Sequence, residues 1–418
     1  MKKIDDLTLA NVSSFSAFLI PATSLCLKSG YAYGVLLFLL SSLFSFRRWC
    51  RYPQSKQTVI IALLFIGMAI LWYELSYFEN KEWDRASKYL AGAVCLLYAM
   101  AFPPKREAFY WGLAVGCAGG GVLGIWQVYV LGMYRANGFT NAIQWGNIAL
   151  LMATMLGIQL CIFWQRQSWL HRAIVIICIL LGLEASVLSA ARGGWLALLV
   201  VIPVMALFIF RYRRDIFLKF SALLVVAGFA VAITNFDMLA KRWQKAEAEI
   251  GHYFGGQQVD TSLGIRLEQY RSAIEMIKEK PLLGWGSEGY LHEMRKRVDE
   301  GRYDRSIHEY NFVHHEFLDL WVKNGVIGVA IQMFAYVYVF YIFWPSRRRM
   351  HPFEGNVDLW RTQLSLRLCG VTLVLMYFLF NQSVQFFVQN NGIIFFVFPI
   401  LIVWSALHDY QSKRLAHN

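Results

Sequence analysis

Twelve stretches of this chain are apolar over about the 17 to 25 residues that cross a hydrocarbon core as helix, and that repetition leaves few folds open. They run near Val12 to Leu27, Tyr31 to Phe46, Gln57 to Tyr73, Lys88 to Phe102, Ala108 to Leu131, Ile143 to Trp164, His171 to Leu188, Gly193 to Phe210, Ile216 to Thr234, Asn324 to Trp344, Leu364 to Gln382 and Gly392 to His408. The runs are continuous rather than alternating, which excludes an outer-membrane barrel. Only 16% of the 418 residues are charged, against about 25% in a soluble domain, so the chain lacks the polar surface to wet a fold of its size. The expected fold class is an all-α polytopic integral membrane protein of about 12 transmembrane helices.

Loop charge sets the orientation. Short loops on the N-terminal side hold Arg47, Arg48, Arg51 and Lys56, then Lys105 and Arg106, Arg166 and Arg172, Arg211, Arg213 and Arg214, and Arg347 to Arg349, which marks that side as cytoplasmic. The other side carries Glu74, Glu79, Glu82 and Asp84 and only scattered cations, so both termini face the cytoplasm. The net charge of +13 is therefore a topology signal and not a nucleic-acid footprint. The first span follows Lys2 and Lys3 without a small-residue cleavage site and reads as retained rather than as a signal peptide. Six of the seven cysteines lie inside apolar runs and Cys50 in a basic loop, as small apolar fillers would.

From about Asn235 to Val313 there is no spanning run, and the charge is nearly balanced; long loops are exempt from the charge rule. Leu263, Leu267, Tyr270, Ile274 and Ile277 recur at helical spacing, followed by Pro281 and the turn glycines Gly284, Gly286 and Gly289. The sequence thus predicts spans over 1–234, a helical outer cap with the candidate site over 235–323, and further spans over 324–418. Gly251, Gly255 and Gly256 precede the helical part of the cap and suit a segment that moves.

The informative polar residues are those on the outer side that neither topology nor solubility requires. Arg192 opens an apolar helix after a short turn, Ser189-Ala190-Ala191, and is followed by Gly193 and Gly194. Such an arginine either snorkels to headgroups or joins the free N–H groups of the helix start in holding a phosphate. Arg266 starts the amphipathic cap helix, with Arg271 an equal candidate on the same helix, and Arg135 sits in another outer loop beside the turn glycine Gly138. His308, Glu309, His314, His315 and Glu316 invite a metal reading, but no His-Glu-x-x-His pair exists, and His314 and His315 would project about 100° apart on a helix. A histidine just outside an apolar helix is better placed as a general base, since it is mostly neutral near pH 7.

At this cluster the chain resembles the O-antigen ligase and polymerase superfamily of bacterial envelope glycosyltransferases. The family pattern is a histidine, then asparagine, serine or glutamine, then a glycine eleven positions after the histidine and another three beyond it; His314, Gly325 and Gly328 fit, while His315 departs from it. Arg192 matches the family's arginine after a serine-containing turn, and Arg266, Pro281 and Gly284-Trp285-Gly286 match an arginine helix followed by proline and a Gly-x-Gly turn. The resemblance implies transfer of a glycan from undecaprenyl diphosphate to a sugar hydroxyl of lipid A-core, at the periplasmic face of the inner membrane, in lipopolysaccharide biosynthesis. It implies His314 as base, with His315 the rival for that role or a substrate contact, Arg192 and Arg266 on the diphosphate, and Arg135 on the donor. It also implies inversion at the anomeric carbon, with no metal or other cofactor. A polymerase or a protein O-glycosyltransferase of the same superfamily would differ in acceptor. A lipid-linked sugar transporter would need ionisable groups near the midplane, where the spans hold few; Glu184 and Lys219 lie towards span ends, and Asn381 with Gln382 is the strong polar pair. The prenyl tail would lie between spans, and the glycines of Gly116 to Gly124 suit close packing or such a groove.

Overall fold

In the computed structural model the described residues are 5–76, 82–212 and 261–415, with 214, 217, 218, 221, 222, 240, 243, 244, 247, 248 and 251. The long helices among them are α1 (Asp6–Ser24), α2 (Tyr31–Phe44), α3 (Lys56–Ser76), α4 (Glu82–Ala101), α5 (Arg106–Ile125), α6 (Ala142–Phe163), α7 (Trp169–Leu188), α8 (Arg192–Tyr212), α9 (Ser262–Glu279), α10 (Ser287–Asp299), α11 (Glu316–Phe343), α12 (Val357–Phe380) and α13 (Asn390–Leu415). There is no strand among the described residues. Eleven of the twelve apolar stretches are therefore helices, and the stretch from Ile216 to Thr234 lies outside the described residues except at 217, 218, 221 and 222, while Gly255 and Gly256 lie outside them altogether. Among the described residues eight helices, α3, α5, α6, α7, α8, α11, α12 and α13, are long and apolar enough to cross a membrane.

Burial separates the roles of these helices. α6 and α13 are enclosed on nearly all sides and α12 almost as fully, so they form the centre of the bundle. α7 and α8 leave one face outward, and the large side chains there, Ile177, Leu196, Leu199 and Leu207, are the kind that face lipid. The glycine run of α5 is spent on close packing: a Cβ at Gly112 or Gly116 would collide with the carbonyls of Phe18 and Pro21 on α1, and one at Gly121 with that of Leu181 on α7. Loops rich in arginine gather at one end, where Arg106 donates to Thr362 (2.9 Å) and Arg166 pairs with Asp358 (3.1 Å).

The other end carries a cap. α9 and α10 enclose a small second core of Ala273, Met276, Tyr290, Leu291, Met294, Val298 and Ile307. The buried face of α9 is not quite the stripe that its apolar spacing predicts: Ile274 is 44% exposed, whereas Glu268, Gln269 and Ser272 are buried. α9 lies on a polar loop as well as on an apolar core, so polar residues share its inner face. α11 starts at Glu316, eight residues before the span that hydropathy places at Asn324, because its first two turns belong to the cap. Gly325 marks the division with non-helical torsions (φ 62°, ψ −164°) inside this helix.

That kink is where the glycine motifs meet. The turn after α9 lays Trp285 N–H on the carbonyl of Val322 (2.8 Å) and Gly286 N–H on that of Lys323 (2.8 Å), while Val326 N–H returns to the carbonyl of Pro281 (3.0 Å). A Cβ at Gly284 or Gly325 would run into the other strand of this contact, and both residues have φ near +65°, which only glycine adopts at low cost. The cap is thereby latched to α11 through backbone bonds.

Candidate active site

His314 lies on the loop between the cap and α11. Its backbone N–H and its Nδ1 both face Oε1 of Gln269 on α9, at 3.2 and 2.8 Å. An oxygen that accepts the backbone N–H must also accept from the ring, so Nδ1 carries the proton and Nε2 keeps its lone pair. Tyr270 donates to the carbonyl of His314 (3.0 Å), and the rings of Tyr310 and Phe312 flank the imidazole at 5.3 and 5.0 Å. Burial, and then the neighbouring Arg266 guanidinium, push the pKa of His314 down to about 4, which leaves it neutral at pH 7.

The loop is pinned from below. Asp319 and Lys323, one turn apart and both buried, form a 2.9 Å ion pair. Asp319 also accepts the N–H of Val313 (2.8 Å), and Lys323 donates to the carbonyl of Asn311 (3.0 Å), so each charge has a second partner in the histidine loop.

His315 is occupied differently. It is the N-cap of α11, its Nδ1 accepting from Leu318 N–H at 3.4 Å, and the same ring bonds to Gln382. Asparagine and serine, usual at this position in the pattern quoted above, are good N-caps for the same reason, namely a short side chain with an acceptor. The departure at His315 therefore preserves a cap.

Arg266 and Arg271 are separated by what they touch. Arg271 pairs with Glu268 (3.0 Å), donates to the carbonyl of Arg302 (2.6 Å) and lies over the ring of Tyr303. Arg266, half-buried beside His314 and Tyr270, has no ion pair or hydrogen bond among the described residues. Arg192 opens α8, as its sequence context requires; its side chain is outside the described residues. The turn before it contains Ala190 at φ 63°, and Gly193 seats against the hydroxyl of Ser383, one residue from Gln382. The backbone of the Arg192 turn, the Gln382–Ser383 turn, His315, His314 and the Arg266 helix thus form one continuous neighbourhood. Arg135 is exposed on the adjoining loop, which is tied in by the bond from Ala136 N–H to the carbonyl of Leu188 (2.9 Å).

Sequence reasoning missed the residues that hold this arrangement. Gln269 reads as one polar residue on an amphipathic helix, and Asn381 as half of an intramembrane polar pair. In the fold Asn381 is a hub: it accepts Glu316 N–H on its carbonyl (3.0 Å) and Phe386 N–H on Oδ1 (2.8 Å), and donates to the Tyr336 hydroxyl (2.5 Å). Glu316 is fully buried, and neither of its carboxyl oxygens has a hydrogen-bond partner among the described residues. Arg367 is a second surprise, a buried cation within α12 that donates to the carbonyl of Ile342 (3.0 Å). Among the described residues no three of His, Cys, Asp or Glu converge as metal ligands.

Residues 177–333 match the family described as O-Antigen ligase, a segment that contains Arg192, Arg266 and His314 but not Arg135. An uncharacterized protein of Haemophilus influenzae is 25% identical over 389 residues, covering 91% of this chain and 94% of that one. Over that segment the chain is similar to the O-antigen ligase family, and its all-helical bundle with spanning helices makes it a polytopic membrane protein.

Proposed function

We propose that this protein transfers a glycan from undecaprenyl diphosphate to a sugar hydroxyl of lipid A-core, with inversion and without a metal. The observation that carries the reading is the Gln269–His314 pair: a neutral imidazole with Nδ1 tied down and Nε2 free among the described residues, beside an arginine with no ion pair among them. His314 Nε2 takes the acceptor hydroxyl proton as that oxygen bonds to the anomeric carbon on the face opposite the diphosphate. The bond from the anomeric carbon to the phosphate oxygen breaks, and Arg192 and Arg266 hold the leaving diphosphate as its charge grows. Arg135 contacts the donor further out, and His315 lines the site from its cap position.

A histidine with pKa about 4 is a weak base, and the donor corrects this. Bound diphosphate offsets the charge of Arg266 and adds its own negative field, both of which raise the pKa of His314. The base therefore gains strength only when the donor is present, which protects against idle chemistry.

The arginine-rich loops lie at the end of the bundle opposite His314, which supports cytoplasmic termini and a periplasmic site in the bacterial inner membrane. α8 and α11 touch through Phe208 and Trp344 near that basic end (4.6 Å), and a prenyl tail would enter between them nearer the site.

The test is a reconstituted transfer in nanodiscs with undecaprenyl-diphosphate glycan, lipid A-core and excess EDTA. Wild type is expected to make product, His314→Ala to make none, and His315→Asn to stay active. Lengthened donor with unmodified lipid A-core would make the enzyme a polymerase, and an untouched donor would favour transport.

A further inference from the structure

On the same end of the bundle as His314 is a cavity of about 390 Å³, within the range that holds small ligands. Its walls come from four separate connections: the α1–α2 turn, the start of α4, the loop that carries Arg135, and the turn from Val388 into α13. Nine of its twelve lining side chains carry a hydrogen-bonding group. The transferase chemistry above uses none of them.

The cavity is prearranged. The Thr140 hydroxyl is held between Gln389 (3.2 Å) and Asn391 (3.3 Å), and Arg85, 3% exposed, donates to the carbonyl of Val388 (2.9 Å). Asn390 bonds to both Asp84 and Tyr31. Ser29, on the wall, has φ 52°; it and Ala190 of the Arg192 turn are the two non-glycine residues at positive φ among the described residues, and such strain concentrates at functional positions.

The lining chemistry narrows the occupant. A prenyl chain would need apolar walls, and these are mostly polar. A phosphate would need donors alone, whereas the wall includes the carboxylate of Asp84, which is paired with Lys88 (2.6 Å) and bonded to Asn390 and so keeps negative charge and acceptor lone pairs at the cavity. A sugar residue suits the set: each hydroxyl both donates and accepts, as amide, carboxylate, guanidinium and hydroxyl groups in one ring require, and Phe139 and Leu27 can cover its C–H face. The cavity also adjoins the candidate site through shared loops, since the Val388–Asn391 wall continues from Gln382 and the Thr140 wall from Arg135.

We propose that the cavity lined by Tyr31, Asp84, Thr140, Asn390 and Asn391 is a saccharide subsite, holding a sugar of one substrate glycan away from the reacting bond. This rests on the transferase reading above. The sugar belongs either to the acceptor or to the donor chain, and both present the same hydroxyl chemistry.

The experiment uses full-length protein in nanodiscs and isothermal titration with two lipid-free probes: the oligosaccharide released from lipid A-core, and the repeat-unit oligosaccharide of the donor. Wild type and His314→Ala are expected to bind one of them. Asp84→Asn and Tyr31→Phe, which keep side-chain shape, weaken that binding about tenfold, or about 1.4 kcal/mol. In the transfer assay the same two variants raise KM for that substrate alone while kcat at saturation holds. The probe that binds identifies the source. Wild-type affinity in both variants, or no binding of either probe by wild type, overturns the subsite. Normal transfer by His314→Ala with pocket variants still impaired in binding would instead remove the proposed mechanism and leave the subsite standing.

Discussion

Lowering the pH tests the electrostatics of His314 directly. With a pKa of about 4 in the free protein, about 97% of the imidazole is neutral at pH 5.5; at the ordinary value near 6.5 only about 9% would be. The sign is that of a base whose folded pKa is depressed: the histidine's contribution to stability is full above about 6.5. Stability declines as pH falls from there, whereas catalytic competence of the free enzyme persists until about 4. With the acceptor held well below its KM, varying the donor makes kcat/KM report the free enzyme and the apparent kcat the donor complex. The kcat/KM profile should stay level from pH 7.5 to 5.5, and the acid limb of kcat should lie at higher pH because bound diphosphate offsets Arg266. Gln269→Leu deletes the acceptor that fixes the tautomer and leaves two donors of His314 unpaired. Loss of about 1.5–3 kcal/mol of orientation corresponds to about 10- to 100-fold in rate. A tenfold fall in wild-type kcat/KM between pH 7.5 and 5.5, or a Gln269→Leu enzyme of normal rate, would refute this account of the base.

Gly325→Ala places a Cβ against the carbonyl of Leu282 at a left-handed position, so it should destabilise the cap by more than about 1–2 kcal/mol, read as faster proteolysis between α9 and α11. Asp319→Ala strands the buried Lys323 and should cost about 3–5 kcal/mol in unfolding, whereas Asp319→Leu combined with Lys323→Met should recover much of it. Arg266→Ala should reduce transfer at least about 100-fold with little change in melting temperature, because no ion pair or hydrogen bond among the described residues depends on it. Arg271→Ala should do the reverse, losing its pair with Glu268 and about 1 kcal/mol of stability while transfer stays within a few-fold. His315→Ala should cost about 1 kcal/mol through the lost cap, and His315→Asn should restore it, both measured by thermal unfolding.

Hydropathy was enough to find eleven helices because a spanning segment must satisfy its backbone internally and show apolar side chains to lipid, a requirement written locally in every run. The alternation of basic and acidic loops was legible for a similar reason: each loop carries its own charge. The arginine that opens α8 and the histidine ahead of α11 could be found in the same way, since both interrupt apolar sequence where topology asks for nothing. What the fold decided was partnership. No spacing distinguishes Arg266 from Arg271; only the packing of α9 directs one to Glu268 and Arg302 and leaves the other beside His314. Nor does any spacing join Gln269 to His314, 45 residues later, or Thr140 to Gln389, 249 residues later. Hydrogen bonds and pKa shifts depend on a few ångströms between groups remote in sequence, whereas membrane insertion depends on sums over neighbours, so the spans were readable in the chain and the partners of the candidate site's residues only in the folded bundle.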